Sequence, residues 1–126
     1  MADGLIVRTG YGEVIQDLDG DGFEQTGWVI LYMHIDTRDR IEPGLHVKAG
    51  EHIGHPSCEG GVSTGTHTHV ARLYNGEWIP ADQDIPFVMD GWVSQGAGKE
   101  YDGYLLRNGK KIEAYGGNSS DNRIKR

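Results

Sequence analysis

The longest nearly continuous apolar run in the chain is Trp28-Val29-Ile30-Leu31-Tyr32-Met33-His34-Ile35. It is rich in β-branched and aromatic residues, which predicts a strand buried on both faces. Shorter strand-like segments surround it. Leu5-Ile6-Val7 and Glu13-Val14-Ile15-Gln16 are separated by the turn sequence Thr9-Gly10-Tyr11-Gly12. Leu45-His46-Val47-Lys48 alternates between the turns Glu42-Pro43-Gly44 and Ala49-Gly50-Glu51, and the stretch from His67 to Leu73 alternates again. Asn75-Gly76 is a strong hairpin signal, with Tyr74 before it and Glu77-Trp78-Ile79 after it. Beyond Pro80, Phe87-Val88-Met89 and Gly91-Trp92-Val93 read as packed segments. Tyr104-Leu105-Leu106-Arg107, Asn108-Gly109 and Lys110-Lys111-Ile112-Glu113-Ala114 predict one more hairpin, and residues 116–122 are turn-like and loose.

No long stretch carries apolar residues at helical spacing. Twenty glycines in 126 residues, spread among the strand-like segments, fit an all-β protein with many tight turns. The length fits one domain over residues 1–126. With 37% hydrophobic and 25% charged residues the composition is that of an ordinary globular protein. No apolar run approaches the roughly 20 residues of a membrane helix. Met1-Ala2-Asp3-Gly4 starts no basic-then-apolar leader, so no signal peptide is expected.

Charge narrows the partners. Twelve basic and nineteen acidic residues give a net charge of −7. A surface that binds phosphates or anionic lipids needs the opposite sign, so neither nucleic acid nor membrane insertion is expected. The one basic cluster, Arg123, Lys125 and Arg126, reads as a solvated tail. Cys58 is the single cysteine and has no partner for a disulfide within the chain, so it is expected to be a buried free thiol or to have its partner outside this chain.

The candidate chemistry lies in the histidines. His67-Thr68-His69 opens a strand-like segment directly after the loop Ser63-Thr64-Gly65-Thr66. Residues i and i+2 of a strand share a face. The pair therefore suits two ligands of one metal, or one ligand beside a proton-transfer group, and surface histidines would look the same. His34 ends the buried strand and can lie across a sheet from the pair; a histidine satisfied in the core is the simpler account of it. His46 is expected to face solvent because its apolar neighbours should face inward, and His52 and His55 flank a turn; these three read as non-catalytic.

Three segments carry a family resemblance. They are Tyr32-Met33-His34-Ile35, the turn from Gly44 to Gly54 (GLHVKAGEHIG), and Thr64-Gly65-Thr66-His67-Thr68-His69-Val70. Together, in this order and spacing, they resemble the lysostaphin/LytM-type zinc peptidases over about residues 4–73. The resemblance implies a small antiparallel β-sheet or barrel-sandwich domain with a histidine-lined groove. Residues 80–126 would then be extra hairpins and a loose tail. It implies zinc-dependent hydrolysis of peptide bonds in bacterial cell-wall peptidoglycan, by a monomer in the extracellular space or cell envelope. Carried over by motif, His69 is a zinc ligand, His67 binds or activates the zinc-bound water, and His34 assists proton transfer or stabilises the oxyanion.

The sequence departs from this pattern in one respect. The family's other two zinc ligands are a His and an Asp on an earlier strand, and no histidine precedes His34. Catalytic zinc takes three protein ligands. The expectation is a chain without its upstream ligand strand, or a non-catalytic relative, with little activity in either case. The alternatives are a module that binds peptidoglycan or activates another hydrolase, and a calcium-stabilised wall-binding β domain. The last rests on Asp17-x-Asp19-x-Asp21-Gly22, the first half of a calcium loop, with Trp28 at the twelfth position where a glutamate belongs and Glu24 as a substitute ligand. A polar tip whose aspartates cap their own turn gives the same sequence.

Overall fold

The computed structural model describes residues 1–99, 102–114 and 124. The described residues form antiparallel strands and no helix, in two compact units, Met1–Ile79 and the chain from Pro80 on. The chain is thus all-β, as its pattern predicts.

The first unit holds β1 (Gly4–Gly10), β2 (Glu13–Asp17), β3 (Trp28–Met33), β4 (His46–Val47), β5 (His69–Tyr74) and β6 (Glu77–Trp78). They form one sheet in the order β4-β1-β2-β3-β5-β6. The β1–β2 and β5–β6 hairpins turn on Tyr11-Gly12 and Asn75-Gly76. Both residues of each turn have positive φ (49° and 81°, 49° and 79°), the geometry whose twist matches the flanking strands. A bulge between Ile6 and Arg8 breaks the β1–β2 register.

β3 is central, paired with β2 on one side and β5 on the other. Its alternate residues point to opposite faces, so its unbroken apolarity means that both faces are covered. On one face Ile30 and Tyr32 pack with Ile6, Val14, Ile35 and Val47. On the other, Val29 and Leu31 pack with Ile15.

Several boundaries differ from the sequence pattern, three of them around the histidines. β3 ends at Met33, not Ile35, because His34 leaves the extended region for φ 64°. β5 begins at His69, not His67; His67 forms an isolated antiparallel bridge with Ser57 and lies outside the β3–β5 ladder. In β4, Val47 is buried as expected but Leu45 is 51% exposed, since the paired strand is only two residues long. His46 itself is exposed, as its position predicts.

The second unit contains β7 (Val88–Met89), β8 (Trp92–Gly96), β9 (Gly103–Arg107) and β10 (Lys110–Glu113), in the order β10-β9-β8-β7. The hairpin expected at Asn108-Gly109 forms, with Lys110 opposite Arg107. Trp92 and Ile112 are buried, and the Arg107 guanidinium lies 4.7 Å from the centre of the Trp92 ring. The loose segment 116–122 and the basic cluster Arg123, Lys125 and Arg126 lie outside the described residues.

One polar pair is buried in the first sheet. Tyr32 Oη donates to Gln16 Oε1 at 2.8 Å, and Gln16 Nε2 donates to the Ala2 carbonyl at 2.8 Å. Burial pushes the Tyr32 phenol up to about 12. An unfolded tyrosine ionises near 10, so between those values the unfolded chain loses this proton and the folded chain keeps it. Stability should therefore fall by about 2–3 kcal/mol as pH rises through that window. Denaturant titrations at stepped alkaline pH should show this fall, and Tyr32→Phe should lose it while costing about 1–3 kcal/mol at neutral pH through the stranded Gln16 acceptor.

Candidate active site

The site begins where β3 stops. His34 is 3% exposed, and its left-handed backbone is one that few non-glycine residues adopt. Backbone hydrogen bonds hold it there. Its carbonyl accepts from Ser57 N at 2.6 Å and Ser57 Oγ at 3.2 Å. The next residue, Ile35, donates its N–H to the Gly12 carbonyl at 2.9 Å, and Asp36 donates to His55 O at 2.8 Å. The turn that ends β3 thereby aims the His34 ring across the end of the sheet.

There it meets the pair from β5. The His34 ring lies 4.5 Å from the centre of the His67 ring and 6.5 Å from that of His69. His69 sits opposite Met33 in the β3–β5 ladder, which brings the two ends of chain together. The structure therefore gathers His34, His67 and His69 from separate stretches of sequence. His52 and His55 form another pair, 4.7 Å between ring centres, with His55 Nε2 3.6 Å from Asp39.

Hydrogen bonds fix which nitrogen of each ring is free. His34 Nδ1 is 2.9 Å from the Glu59 carbonyl, and His67 Nδ1 is 2.7 Å from the Gly65 carbonyl. A carbonyl only accepts, so Nδ1 carries the proton in each ring and the neutral Nε2 keeps its lone pair. Desolvation lowers the pKa of His69, and the His34 and His67 imidazoles lower it further. His69 thus favours the neutral imidazole, the form that takes up a proton or a metal.

A complete zinc site is another matter. Among the described residues, the group of three potential ligands with donor atoms within 4.8 Å of one another is Asp17, Asp19 and Asp21, and the three histidines do not form such a group. A catalytic zinc needs three protein ligands. His69 can supply one, and the described residues around it do not complete the set.

The aspartate loop gathers three of its four expected carboxylates. Asp17, wholly buried, accepts from Asp19 N at 3.1 Å and Gly22 N at 2.8 Å. Asp21 accepts from Phe23 N at 2.8 Å and Thr26 Oγ1 at 2.5 Å, and these bonds hold its pKa low. The Asp21 N–H pulls Asp19 down, but burial and the neighbouring carboxylates outweigh it and the net shift is upward. Glu24 is held elsewhere: Arg8 Nε donates to its Oε1 at 2.8 Å and Nη2 to its Oε2 at 3.2 Å.

Sequence reasoning missed the loop that braces His34. Within Pro56-Ser57-Cys58-Glu59-Gly60-Gly61 only Cys58 drew notice, and it is an exposed free thiol. The working atoms are the Ser57 N–H and hydroxyl and the Glu59 carbonyl. Backbone groups leave no mark in residue types. The two glycines were the one available signal. A Cβ on Gly12 would lie 2.4 Å from the Glu59 carbonyl oxygen, and one on Gly60 would lie 2.1 Å from the Tyr11 carbonyl oxygen.

The fold has a counterpart among known proteins. The chain has the fold of the M23 metalloproteases, which is the LytM-type peptidase fold that its motifs imply. A solved M23 metalloprotease, pseudoalterin from the deep sea, aligns with 90% of this chain and 67% of its own, at a TM-score of 0.69 and 23% identity. Protease LasA of Pseudomonas aeruginosa, in strains PAO1 and UCBPP-PA14, is 36% identical over 61 residues. That match spans 43% of this chain and 14% of the length of LasA. No family model matches the chain.

The close approach of the two turns gives a prediction. Gly60 combines φ 72° with the contact to Tyr11, so Gly60→Ala should destabilise by at least about 1–2 kcal/mol, read as a lowered denaturation midpoint. Gly65→Ala, with open space at its Cβ, should leave the midpoint within about 0.5 kcal/mol of the parent.

Proposed function

We propose that this chain is the histidine-bearing part of a zinc-dependent endopeptidase that hydrolyses peptide bonds of bacterial cell-wall peptidoglycan. The observation that carries the reading is the meeting of His34, His67 and His69 at one end of a sheet with a metalloprotease fold. The local identity with LasA supports it.

Attack of water on a peptide carbonyl requires a group that takes the water's proton and one that stabilises charge developing on oxygen. His67, with Nε2 unprotonated and its ring exposed, is assigned the first task. His34, buried beside it, assists the transfer and stabilises the oxyanion once its own Nε2 is protonated. His69 is the metal ligand this chain contributes. The other two ligands come from outside the described histidine cluster.

The reading extends to the setting. Residues 1–126 act as one peptidase-like domain that works as a monomer in the extracellular space or cell envelope, on the peptide portion of peptidoglycan. No described helix is long and apolar enough to cross a membrane. The aspartate loop is assigned a structural role, with Asp17, Asp19 and Asp21 holding a hard cation such as calcium; the convergence of their oxygens favours this, and Glu24 takes no part because Arg8 holds it.

Zinc content and peptidoglycan hydrolysis, measured on the full-length protein, test the main assignment. His34→Ala and His67→Ala should each lower hydrolysis by about 10²–10⁴-fold and leave zinc bound. His69→Ala should lose the metal as well. Retained hydrolysis in either of the first two refutes its role. A protein that binds peptidoglycan but neither zinc nor cuts it would be a binding or hydrolase-activating module.

Calcium well above its Kd should raise Tm by roughly 5–10 °C, reversed by chelation and absent in Asp19→Asn. An unchanged Tm would leave the aspartates as caps of their own turn.

A further inference from the structure

Glu59 touches His34 through its main chain and reaches the elements around it through its side chain. Its carbonyl accepts the His34 Nδ1 proton at 2.9 Å. Its carboxylate accepts from Thr37 N at 2.7 Å, Thr37 Oγ1 at 2.8 Å and Arg40 Nη2 at 2.6 Å. The same Arg40 nitrogen donates to the Ile35 carbonyl at 2.6 Å, one residue beyond His34. The Arg40 side chain is only 10% exposed, so the pair is shielded on the arginine side.

The residues next to Glu59 explain why its carbonyl needs such a hold. Gly60 and Gly61 follow it, both at positive φ, and glycine constrains the main chain less than any other residue. A loop of that composition does not by itself keep one carbonyl fixed against an imidazole. Ser57 braces the near side, where its Oγ accepts from Glu59 N at 2.9 Å and its N–H donates to His34 O. The Glu59 carboxylate braces the far side.

We propose that Glu59 is a positioning residue: its carboxylate, clamped by Thr37 and Arg40, holds its own carbonyl where it fixes the Nδ1-protonated tautomer of His34. The consequence for catalysis rests on the peptidase reading above; the consequence for the tautomer does not. Hydrogen bonds from Thr37, then from Arg40, hold the Glu59 carboxyl below its ordinary value, so the clamp is charged at neutral pH. Partners that orient a catalytic or ligating imidazole from behind commonly matter about 10–100-fold for activity.

The test uses full-length protein labelled with ¹⁵N-histidine, in alkaline buffer where the rings are neutral. Imidazole nitrogen shifts, assigned with His34→Gln, report which His34 nitrogen carries the proton. The parent should show Nδ1–H alone. Glu59→Ala should show a mixture of tautomers and hydrolyse peptidoglycan about 10–100-fold more slowly through kcat, with KM little changed. Glu59→Gln, which keeps one oxygen to accept from Thr37 N but loses the charge and the oxygen that Arg40 and the Thr37 hydroxyl donate to, should fall between. Should Glu59→Ala fail to fold, Glu59→Gln and Thr37→Val decide the matter by the same two readouts.

An unchanged tautomer in a folded Glu59 variant overturns the proposal, whatever happens to the rate. A mixed tautomer with parental kcat overturns its catalytic half. If the parent cuts no peptidoglycan, the peptidase reading fails, and the nitrogen shifts still decide the clamp.

Discussion

One hydrogen-bonded turn organises this molecule. At the end of β3 the chain enters a left-handed conformation at His34, which a histidine would not hold unaided. Ser57, Gly12 and Glu59 hold it there, two through the main chain around the ring and one through the ring itself. Because β3 is paired on both sides and buried on both faces, its last residue starts from a fixed place. A rigid strand and a braced turn together set where an imidazole points. The histidine cluster follows from that, since β5 runs antiparallel to β3 and delivers His69 opposite Met33.

The strands and the cluster were largely legible in the sequence because each rests on side chains. Apolar runs marked β3, alternation marked β5, and Asn-Gly dipeptides marked two hairpins. The residue pattern left His34 open, and the family resemblance is what implied that it would meet His67 and His69, as it does. Boundaries were less legible. Nothing in Met33-His34-Ile35 announces a left-handed residue, and the alternation that begins at His67 continues smoothly into β5 although His67 pairs with Ser57 instead. Both departures arise from main-chain bonds to a loop distant in sequence, which local pattern does not encode. Glu24 was misjudged for a similar reason: its spacing fits the aspartate loop, but Arg8, sixteen residues earlier, holds it.

The two charged loops solve one problem differently. In the aspartate loop, like charges are brought close and are compensated by N–H and O–H donors, leaving Asp19 with a raised pKa and Asp21 with a lowered one. In the loop beside His34, one carboxylate is opposed by one guanidinium and two donors from a single threonine. The first arrangement has carboxylate oxygens in excess of its donors. The second is complete, and its rigidity is passed to a main-chain carbonyl.

The sheet of the first unit is bordered by its two shortest strands, β4 and β6, of two residues each. A foreign strand that approached either border would find few free amide groups in register, while the bulge in β1 distorts the stretch that β4 leaves uncovered. Short border strands of this kind blunt strand-to-strand pairing along the sheet by geometry alone, with no need for an edge rich in lysine or proline.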